Sequence, residues 1–214
     1  DILHVHYAIP HASAAFLAKK ILREQGTEIP VVTTLHGTDI TLVGKDVTFS
    51  PVVSFSINQS DGVTAVSESL RQETFEYFDI NTEIEVIPNF IDLGAFQKLN
   101  KDHFKKAIAP QGERIIMHIS NFRKVKRIQD VLDVFHRIHQ IMPAKLLLVG
   151  DGPERKNAEA QCRDLRICHD TRFLGKQDAV GELLAVADLF LLPSQNESFG
   201  LVALEAMACE VPVI

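Results

Sequence analysis

Short apolar runs alternate with amphipathic stretches along most of the chain. In the first half, apolar runs at 2–7, 31–35, 62–66 and 83–87 predict strands, whereas residues 12–25 and 51–59 have helical spacing. Gly26 follows the first predicted helix, and Ser67 is the expected N-cap of a third. Strands that alternate with helices are typical of parallel βαβ units, with helices on both faces of the sheet.

The second half repeats this alternation. After a polar stretch at 89–112, with one short helix predicted at 102–107, strands are predicted at 115–119, 145–149, 171–174, 189–192 and from Val211 onward. Helices are predicted at 127–141, 154–165, 179–187 and 201–208. We therefore predict an α/β chain with two Rossmann-like domains, 1–93 and 113–214, joined by a hinge at 94–112. Since both termini lie in predicted strands, we expect an internal segment of a longer protein.

Composition narrows the class of protein. The 214 residues are 46% hydrophobic and 23% charged, which is enough apolar material for one sizeable core or two small ones. A formal net charge of -6 and a pI near 5.8 give no support for nucleic-acid binding. No apolar run has the length of a membrane span, and no secretory signal opens the chain. Three cysteines without CxxC spacing favour a reduced, cytoplasmic setting, and whether the protein is a homo-oligomer stays open.

The most informative stretch is 193–209, PSQNESFGLVALEAMAC. It predicts a loop, a tight turn and then a buried helix. The unpaired N–H groups at a helix start attract anions, and Gly200 lets a ligand approach the backbone closely. Glu197 and Glu205 flank this anion site, and carboxylates there suit hydroxyl groups on either side of a phosphate, as in a nucleotide sugar. The alternative for Glu205 is a solvated helix position, although a charge in an apolar run usually has a partner. The turn and the first helical residue are Ser198, Phe199, Gly200 and Leu201.

Two further strand ends carry residues suited to phosphate. One predicted strand is followed by NFRKVKR at 121–127, with four cations in five residues ahead of a helix. Because ligands of parallel sheets bind at the carboxyl ends of strands, Arg123 and Lys126 are candidate phosphate ligands; a solvated basic turn is the alternative. The next strand is followed by Gly150-Asp151-Gly152-Pro153, which on its own is a tight turn into a helix.

The first domain has polar groups at the ends of its first two strands. A lone histidine in such a place is most often a hydrogen-bonded structural residue, and this is the alternative for His36. His4 and His6 share a strand face but have no third ligand placed with them, so we predict no metal site. The polar residues that close the two strands are Tyr7, His11, Thr34 and His36.

The order ESFGL followed by EAMA, from Glu197 to Glu205, resembles the Glu-x7-Glu signature of retaining glycosyltransferases of family 4. Members of this family have the GT-B fold, with two facing Rossmann-like domains. The resemblance implies that 1–93 is the later part of an acceptor-side domain and that 113–214 is an incomplete nucleotide-sugar-binding domain. It also implies that Glu205 binds the nucleotide ribose, that Glu197 contacts the donor sugar, and that the turn between them contacts the diphosphate and the sugar.

The same resemblance implies roles at the other strand ends of the second domain. Lys126 matches the family lysine that neutralises the leaving diphosphate. The usual arginine position is Asn121 in this chain, so Arg123 is the expected substitute. Gly152 lies in a turn that resembles the one beneath the nucleotide.

Two more segments complete the implied site. The FLGK run that ends in Gly175 and Lys176 resembles the segment whose backbone reads the base. In the first domain, His36-Gly37-x-Asp39 resembles the family His-Gly element, whose imidazole lies near the donor sugar. The remaining residues expected on the acceptor side are Tyr7, Thr34 and His11.

Several longer runs narrow the resemblance, among them HVHYAIPHA, TTLHGTDIT and HISNFRKVKR. They are similar to family members that transfer N-acetylglucosamine from UDP-N-acetylglucosamine to L-malate, the first step of bacillithiol synthesis. The resemblance covers the whole chain and implies no metal and no cofactor, a nucleotide sugar and a small dicarboxylic acid as partners, and neither nucleic acid nor membrane. A glycine-rich loop is expected before Asp1, and Glu210 replaces a usual glycine.

Three alternatives remain. The acceptor could differ, for example a lipid or a glycan, or the chain could be a non-catalytic nucleotide-sugar-binding fragment, since we expect this segment alone to be inactive. An ordinary pair of dinucleotide-binding domains predicts GxGxxG after a strand, and the chain has no such motif.

Overall fold

The computed structural model describes residues 1–43, 46, 48–98 and 102–214. The chain divides into two compact units, which are Asp1–Asn89 with Glu197–Phe199, and Phe90–Asn196 with Gly200–Ile214. The predicted hinge at 94–112 includes residues 99–101, which lie outside the described residues. Each unit is a parallel α/β sheet with its own apolar core, as the alternating pattern predicts.

The first unit has a four-stranded parallel sheet in the order β1-β2-β3-β4. Ser67 caps the third helix, because its Oγ accepts a hydrogen bond from the Leu70 N–H at 3.2 Å, and the predicted N-cap is confirmed. The first helix ends at Glu24; Gly26 follows with a φ of 82°, which is easy for glycine, and the N–H of Thr27 bonds back to the Leu22 carbonyl at 2.9 Å. The strands are Leu3–His6 (β1), Val31–Leu35 (β2), Gly62–Ala65 (β3) and Ile84–Val86 (β4), and the helices are Ser13–Glu24 (α1), Ser50–Asn58 (α2) and Glu68–Tyr77 (α3).

The second unit has a four-stranded parallel sheet in the order β7-β6-β5-β8. Successive residues of its central strands belong to different cores: Ile115 and Met117 pack on one face, and Ile116 packs on the other. Helices therefore cover both faces. The strands are Arg114–Ile119 (β5), Ala144–Val149 (β6), Thr171–Gly175 (β7) and Leu189–Phe190 (β8), and the helices are Asp102–Ile108 (α4), Ile128–His139 (α5), Arg155–Asp164 (α6), Val180–Leu184 (α7) and Leu201–Ala208 (α8).

Two predictions about elements near the carboxyl end are wrong. The strand expected from Val211 is only an isolated pairing of Phe190 with Val213, since Pro212 has no amide hydrogen to extend a ladder. Helix α7 is shorter than predicted, because Ala187 bonds three residues back to the Leu184 carbonyl, at 3.0 Å, and closes the helix in a tighter turn.

Candidate functional site

The loops after β5, β6, β7 and β8 lie at one edge of the second unit's sheet, because the four strands are parallel. The strand order puts the loop after β5 next to those after β6 and β8. Ligands of open parallel sheets bind at this edge. The loops and the helix α8 that follows them carry the donor-side residues predicted for this unit, which are Arg123, Lys126, Gly152, Gly175, Lys176, Gly200, Leu201 and Glu205.

A buried histidine that sequence reasoning missed joins two of these loops. The Nδ1 of His118 lies 2.9 Å from the Leu191 carbonyl oxygen, and its Nε2 lies 2.9 Å from Ser120 Oγ. Because the carbonyl can only accept, Nδ1–H donates to it, and in the neutral imidazole Nε2 then accepts from the Ser120 hydroxyl. Ser120 Oγ in turn accepts from the Phe122 N–H at 3.2 Å. This chain of bonds fixes the start of the β5 loop; the signal in the sequence was a polar residue inside an apolar strand.

The basic segment after β5 forms a compact turn. Lys124–Lys126 make one short helical turn, and Arg127 then adopts a left-handed conformation with φ 51°. The Arg127 guanidinium pairs with Asp130 at the start of α5. Arg123 is exposed and Lys126 is partly buried. One cation of the run is thus committed to α5, and the two predicted phosphate ligands lie ahead of it in the turn.

The glycine turn after β6 is required by close backbone packing. A Cβ at Gly150 would lie 1.8 Å from the Ser120 carbonyl oxygen, and a Cβ at Gly152 would lie 2.0 Å from the Asn121 carbonyl oxygen. The N–H of Glu154 donates to the Phe122 carbonyl at 2.9 Å. The structure therefore gives both glycines a packing reason, and the expected contact of Gly152 with a nucleotide stays a prediction.

The loop after β8 is attached to the basic turn and leads into α8. The N–H of Gln195 donates to the Val125 carbonyl at 2.9 Å. Gly200 has φ 80°, is buried, and precedes α8 without a side chain that could cap the first N–H groups. The N–H groups of Ala203 and Leu204 already bond to the Gly200 carbonyl. The N–H groups of Leu201 and Val202 are therefore the ones left at the helix start, the arrangement that binds anions elsewhere.

Helix α8 has the predicted bounds but is not buried as predicted. Only Ala206 is buried among its residues, whereas Leu201 is 39% and Met207 is 59% exposed. The Glu205 side chain is partly buried, and burial raises its pKa above the usual value for a glutamate. Within the described ranges, no residue forms a hydrogen bond or ion pair with this carboxylate. Glu205 is therefore a partly desolvated acid that lacks a protein partner in the described part of the chain.

The segment Glu197–Phe199 groups with the first unit. The Ser67 hydroxyl donates to the Ser198 carbonyl at 2.6 Å, and Phe199 packs against the apolar core of that unit. Gly37 lies against the same segment, because a Cβ there would be 1.7 Å from Ser198 Oγ. The Glu197 side chain is exposed. The first unit thus holds the middle of the Glu-x7-Glu stretch through a capping serine and a glycine.

Four imidazoles, those of His4, His6, His11 and His36, cluster with Tyr7 at the ends of β1 and β2. The Nδ1 of His6 lies 2.8 Å from the Nε2 of His36, so one of them donates a shared proton to the other. The Tyr7 and His36 rings are 5.1 Å apart between centroids. Burial lowers the pKa of His36, and the nearby imidazoles of His6 and His4 lower it further. His36 is therefore held mainly in its neutral form near neutral pH.

Two further predicted acceptor-side residues lie in this cluster and are already hydrogen-bonded. The Oγ1 of Thr34 lies 2.8 Å from the Nε2 of His4 and 2.8 Å from the Oγ1 of Thr64. The Nδ1 of His11 donates to the carbonyl of His6 at 2.7 Å. Both residues thus have a structural partner within the first unit, and their contact with an acceptor stays a prediction.

Asp39 is a buried carboxylate whose structural role was not predicted. It is 2% exposed, and its Oδ2 accepts from the Ala8 N–H at 2.6 Å while its Oδ1 accepts from the Gly37 N–H at 3.2 Å. Burial raises its pKa, and these backbone donors oppose the rise. Asp39 therefore ties the loop after β1 to the loop after β2 and helps to position Tyr7 and His36.

A cavity of about 490 Å³ lies at the opposite, amino-terminal edge of the second sheet. Its charged groups already pair with one another: Lys145 contacts Asp170 at 2.5 Å and Glu113 at 3.4 Å, and His139 contacts Asp170 at 2.8 Å. None of the predicted site residues lines it. Across residues 1–43, 46, 48–98 and 102–214, we find no group of three or more His, Cys, Asp or Glu arranged to hold a metal ion. The described helices also include none that is both long and apolar enough to cross a membrane.

Comparisons with known proteins identify the family. Residues 100–214 match the model for glycosyl transferases group 1, and residues 1–95 match the model for glycosyltransferase family 4. The chain therefore belongs to the family 4, group 1 glycosyltransferases, and its two parallel α/β sheets are those of a GT-B fold. The predicted family and fold class are confirmed.

Among the similar proteins, one has a named activity and another is uncharacterised. The chain is 54% identical over 215 residues to N-acetyl-alpha-D-glucosaminyl L-malate synthase of Bacillus anthracis, a match that covers 100% of this chain and 56% of that protein. It is 30% identical to an uncharacterised glycosyltransferase of Methanocaldococcus jannaschii, of which it covers 57%. The chain thus spans about half the length of the curated relatives it matches.

Solved structures support the fold. Anabaena HepE in complex with UDP-glucose has a TM-score of 0.81 and 23% identity, with 94% of this chain and 56% of that chain covered. Sucrose-phosphate synthase from Thermosynechococcus elongatus has a TM-score of 0.79 and 22% identity, with 99% and 55% covered. At these identities the likeness shows the fold alone.

Proposed function

We propose that the protein containing this chain is a retaining glycosyltransferase that moves N-acetylglucosamine from UDP-N-acetylglucosamine to the hydroxyl group of L-malate, the first step of bacillithiol synthesis. The 54% identity to an N-acetyl-alpha-D-glucosaminyl L-malate synthase over the whole chain supports this proposal. Because the chain spans 56% of that relative, the activity is proposed for the whole protein, and we expect the 214 residues alone to transfer little sugar. The nucleotide sugar acts as a substrate, and we propose no cofactor.

The observation that carries the proposal is the partly buried carboxylate of Glu205. A charge in this position costs free energy unless something hydrogen-bonds to it, and no described residue does. The hydroxyl groups of a ribose are suitable donors. Glu205 lies in α8, whose uncapped amino end follows Gly200, so one helix offers an acceptor for hydroxyl groups and donors for phosphate. We propose that Glu197 holds hydroxyl groups of the donor sugar.

The energetic problem of the reaction is negative charge on the departing diphosphate while the sugar becomes an oxocarbenium-like ion. We propose that Arg123, Lys126 and the start of α8 after Gly200 stabilise this charge. One well-placed donor of this kind typically contributes about 3 to 4 kcal/mol to the lowering of the barrier. The three groups supply the positive charge that a metal ion supplies in other transferases, and we propose transfer without a metal.

The acceptor side is proposed for the strand ends of the first unit. L-Malate carries a hydroxyl group and two carboxylates, which need N–H, O–H or cationic partners. Tyr7, Thr34, His36 and His11 lie in this cluster, and the lowered pKa of His36 keeps it available as a neutral donor or acceptor. The family resemblance supports front-face transfer, in which the leaving phosphate takes the acceptor proton. No side chain is therefore assigned as a nucleophile.

We place the protein in the cytoplasm. The three cysteines are free thiols in the structure, which fits a reduced compartment. UDP-N-acetylglucosamine and L-malate are both small, water-soluble substrates, so the proposed reaction needs no lipid-bound acceptor.

The test is a transfer assay on the longest protein that contains this chain. UDP-N-acetylglucosamine and L-malate are supplied, and the products are identified by mass spectrometry for the parent and for Glu205→Ala and Lys126→Ala. We expect a glucosaminyl malate product that is nearly lost in both variants. Donor binding without any malate product would move the function to another acceptor, such as a lipid or glycan, or to binding alone. Absence of UDP binding would overturn the donor site itself.

A further inference from the structure

Two thiols of the second unit are in direct contact. Cys162 is in the last turns of α6, and Cys168 follows six residues later, just before β7. The two Sγ atoms are 2.7 Å apart. Cys162 is fully buried, and Cys168 is exposed. The Cys168 thiol is thus exposed to solvent, and the Cys162 thiol is buried directly next to it.

The backbone at the end of α6 produces this contact. Arg166 adopts a left-handed conformation with φ 57°, and its N–H donates to the Arg163 carbonyl at 3.0 Å. The N–H of Ile167 donates to the Cys162 carbonyl at 3.1 Å. This pair of bonds is a Schellman motif, which turns the chain back over the last helical turn. Cys168 comes directly after the motif, so the backbone itself returns its side chain to Cys162.

The segment is also fixed on its other side. The N–H of Asp170 donates to the Ile167 carbonyl at 3.1 Å, and the Thr171 hydroxyl donates to the same carbonyl at 3.0 Å. Thr171 is the first residue of β7. Cys168 is therefore held between a helix end and a strand start, and bringing the two sulfurs to bonding distance needs little movement of the backbone.

The environments of the two thiols assign them different roles. Burial raises the pKa of Cys162 to about 12, and it packs in the apolar core with Phe135 and Ile167. A buried thiol of this kind is a poor target for a soluble oxidant. Cys168 is exposed. Cys168 is thus the thiol that an oxidant meets first.

We propose that Cys162 and Cys168 are a modification site at which hydrogen peroxide forms a reversible intramolecular disulfide. The Cys168 thiolate attacks one peroxide oxygen, the O–O bond breaks, and Cys168 becomes a sulfenic acid, while the departing hydroxide takes up the proton that the Cys168 thiol released and becomes water. The Cys162 sulfur then attacks the Cys168 sulfur, the S–O bond breaks, and the departing hydroxide takes the Cys162 proton as water. Two thiols lose two electrons in all, and one peroxide becomes two waters.

The disulfide would tie the end of α6 to the start of β7. These two elements are also in contact elsewhere, because the guanidinium of Arg155 in α6 lies 5.9 Å from the centre of the Phe173 ring in β7. Strand β7 then ends at Gly175. Formation of the bond also removes Cys168 from further oxidation to a sulfinic acid, which is irreversible. The site therefore protects an exposed thiol in the turn before β7, the strand that leads to the proposed donor edge, and it does so whatever sugar the enzyme transfers.

Peptide mapping tests the proposal. The native protein is treated with a small excess of hydrogen peroxide, the peroxide is removed, the protein is unfolded in urea with an alkylating reagent that blocks all free thiols, and the chain is digested with trypsin. Trypsin cuts at Lys156, Arg163, Arg166 and Arg172, so the two cysteines fall in separate peptides, 157–163 and 167–172. We expect these peptides to appear joined, two hydrogen atoms lighter than their sum, and to separate after dithiothreitol. Cys209, which is buried away from the pair, serves as the internal control and stays alkylated.

Two variants make the result decisive. In Cys162→Ser, peroxide is expected to leave a sulfenic acid on Cys168 that dimedone traps, whereas the parent loses this adduct because the disulfide forms. In Cys168→Ser, we expect Cys162 to stay unoxidised, because it is buried. The proposal is overturned if the native parent gives no joined peptide, if Cys209 joins either peptide as readily, or if dimedone labels Cys168 equally in the parent and in Cys162→Ser.

Discussion

Replacing Glu205 by Gln is expected to separate stability from donor binding. The carboxylate is partly buried, burial raises its pKa, and no described residue pairs with it. Gln keeps the length of the side chain and one acceptor oxygen but removes the charge. Because that charge is partly desolvated and without a protein partner, we expect Glu205→Gln to leave the free protein as stable as the parent, or more stable by up to about 0.5 kcal/mol.

Donor binding is expected to respond much more strongly. A hydrogen bond to a charged acceptor contributes about 1.5 to 3 kcal/mol. Since 1.36 kcal/mol is a factor of ten, loss of one such bond from a ribose hydroxyl weakens UDP binding by about 10- to 150-fold. A residue that lowers the stability of the free protein and strengthens ligand binding is typical of binding sites.

The dependence on pH has a definite sign. The pKa of Glu205 is raised above its unfolded value of 4.5, so the folded state holds the proton more tightly. The tighter binding of this proton contributes to the stability of the folded state. The contribution is complete below pH 4.5 and is lost as the pH rises through the pKa of Glu205 in the folded protein. Any gain in stability from Glu205→Gln should therefore be present near neutral pH and disappear in acid.

Calorimetric titration with UDP measures the effect on donor binding. Urea unfolding near neutral pH and in acid measures the effect on stability. Glu210→Gln is the matched control, because it makes the same change of charge at an exposed residue that pairs with exposed Lys98 at 2.8 Å. The control should bind UDP like the parent. The reasoning about Glu205 fails if Glu205→Gln binds UDP as tightly as the parent, or if it unfolds more easily by over about 1 kcal/mol, which would indicate a structural role.

Three further predictions test other parts of the site. Lys126→Gln should lower kcat by about 100- to 1000-fold in initial-rate assays because it removes charge from the leaving diphosphate, whereas exposed Lys124→Gln should have a much smaller effect; equal losses would point to the turn as a whole. Gly152→Ala should cost about 1 to 3 kcal/mol in urea unfolding, since its Cβ would lie 2.0 Å from the Asn121 carbonyl oxygen, and more than Gly62→Ala, whose Cβ would meet only the Val32 side chain at 3.4 Å; the reverse order would refute the packing argument. His6→Gln should raise the pKa of His36 in an NMR titration, because this imidazole no longer lowers it, and an unchanged titration would mean that burial and His4 set the value without His6; in the parent, the stability linked to His36 is present above pH 6.5 and is lost as the pH falls.

The elements that the sequence predicted best are those with local signals at both ends. β2 and α8 have the predicted bounds, Val31–Leu35 and Leu201–Ala208, and Ser67 caps α3 as expected. The predictions fail where the outcome depends on neighbours distant in the chain. The burial of α8 is the example: its composition, LVALEAMA, indicates a core helix, but composition does not say how many elements cover it.

The sequence by itself determined the α/β class, the Glu-x7-Glu motif and the family, because these depend on periodicity and on residues close together in the chain. Only the tertiary structure decided which distant groups meet: His118 with Leu191, Asp39 with Ala8, and the Gly152 turn with the β5 loop. Cys162 and Cys168 are only six residues apart in the sequence, yet their contact also depends on the left-handed conformation of Arg166 at the end of α6. Such contacts depend on the order of the strands in the sheet and on the backbone conformation at a few turns. Residue types favour a given strand order or turn conformation but do not determine it.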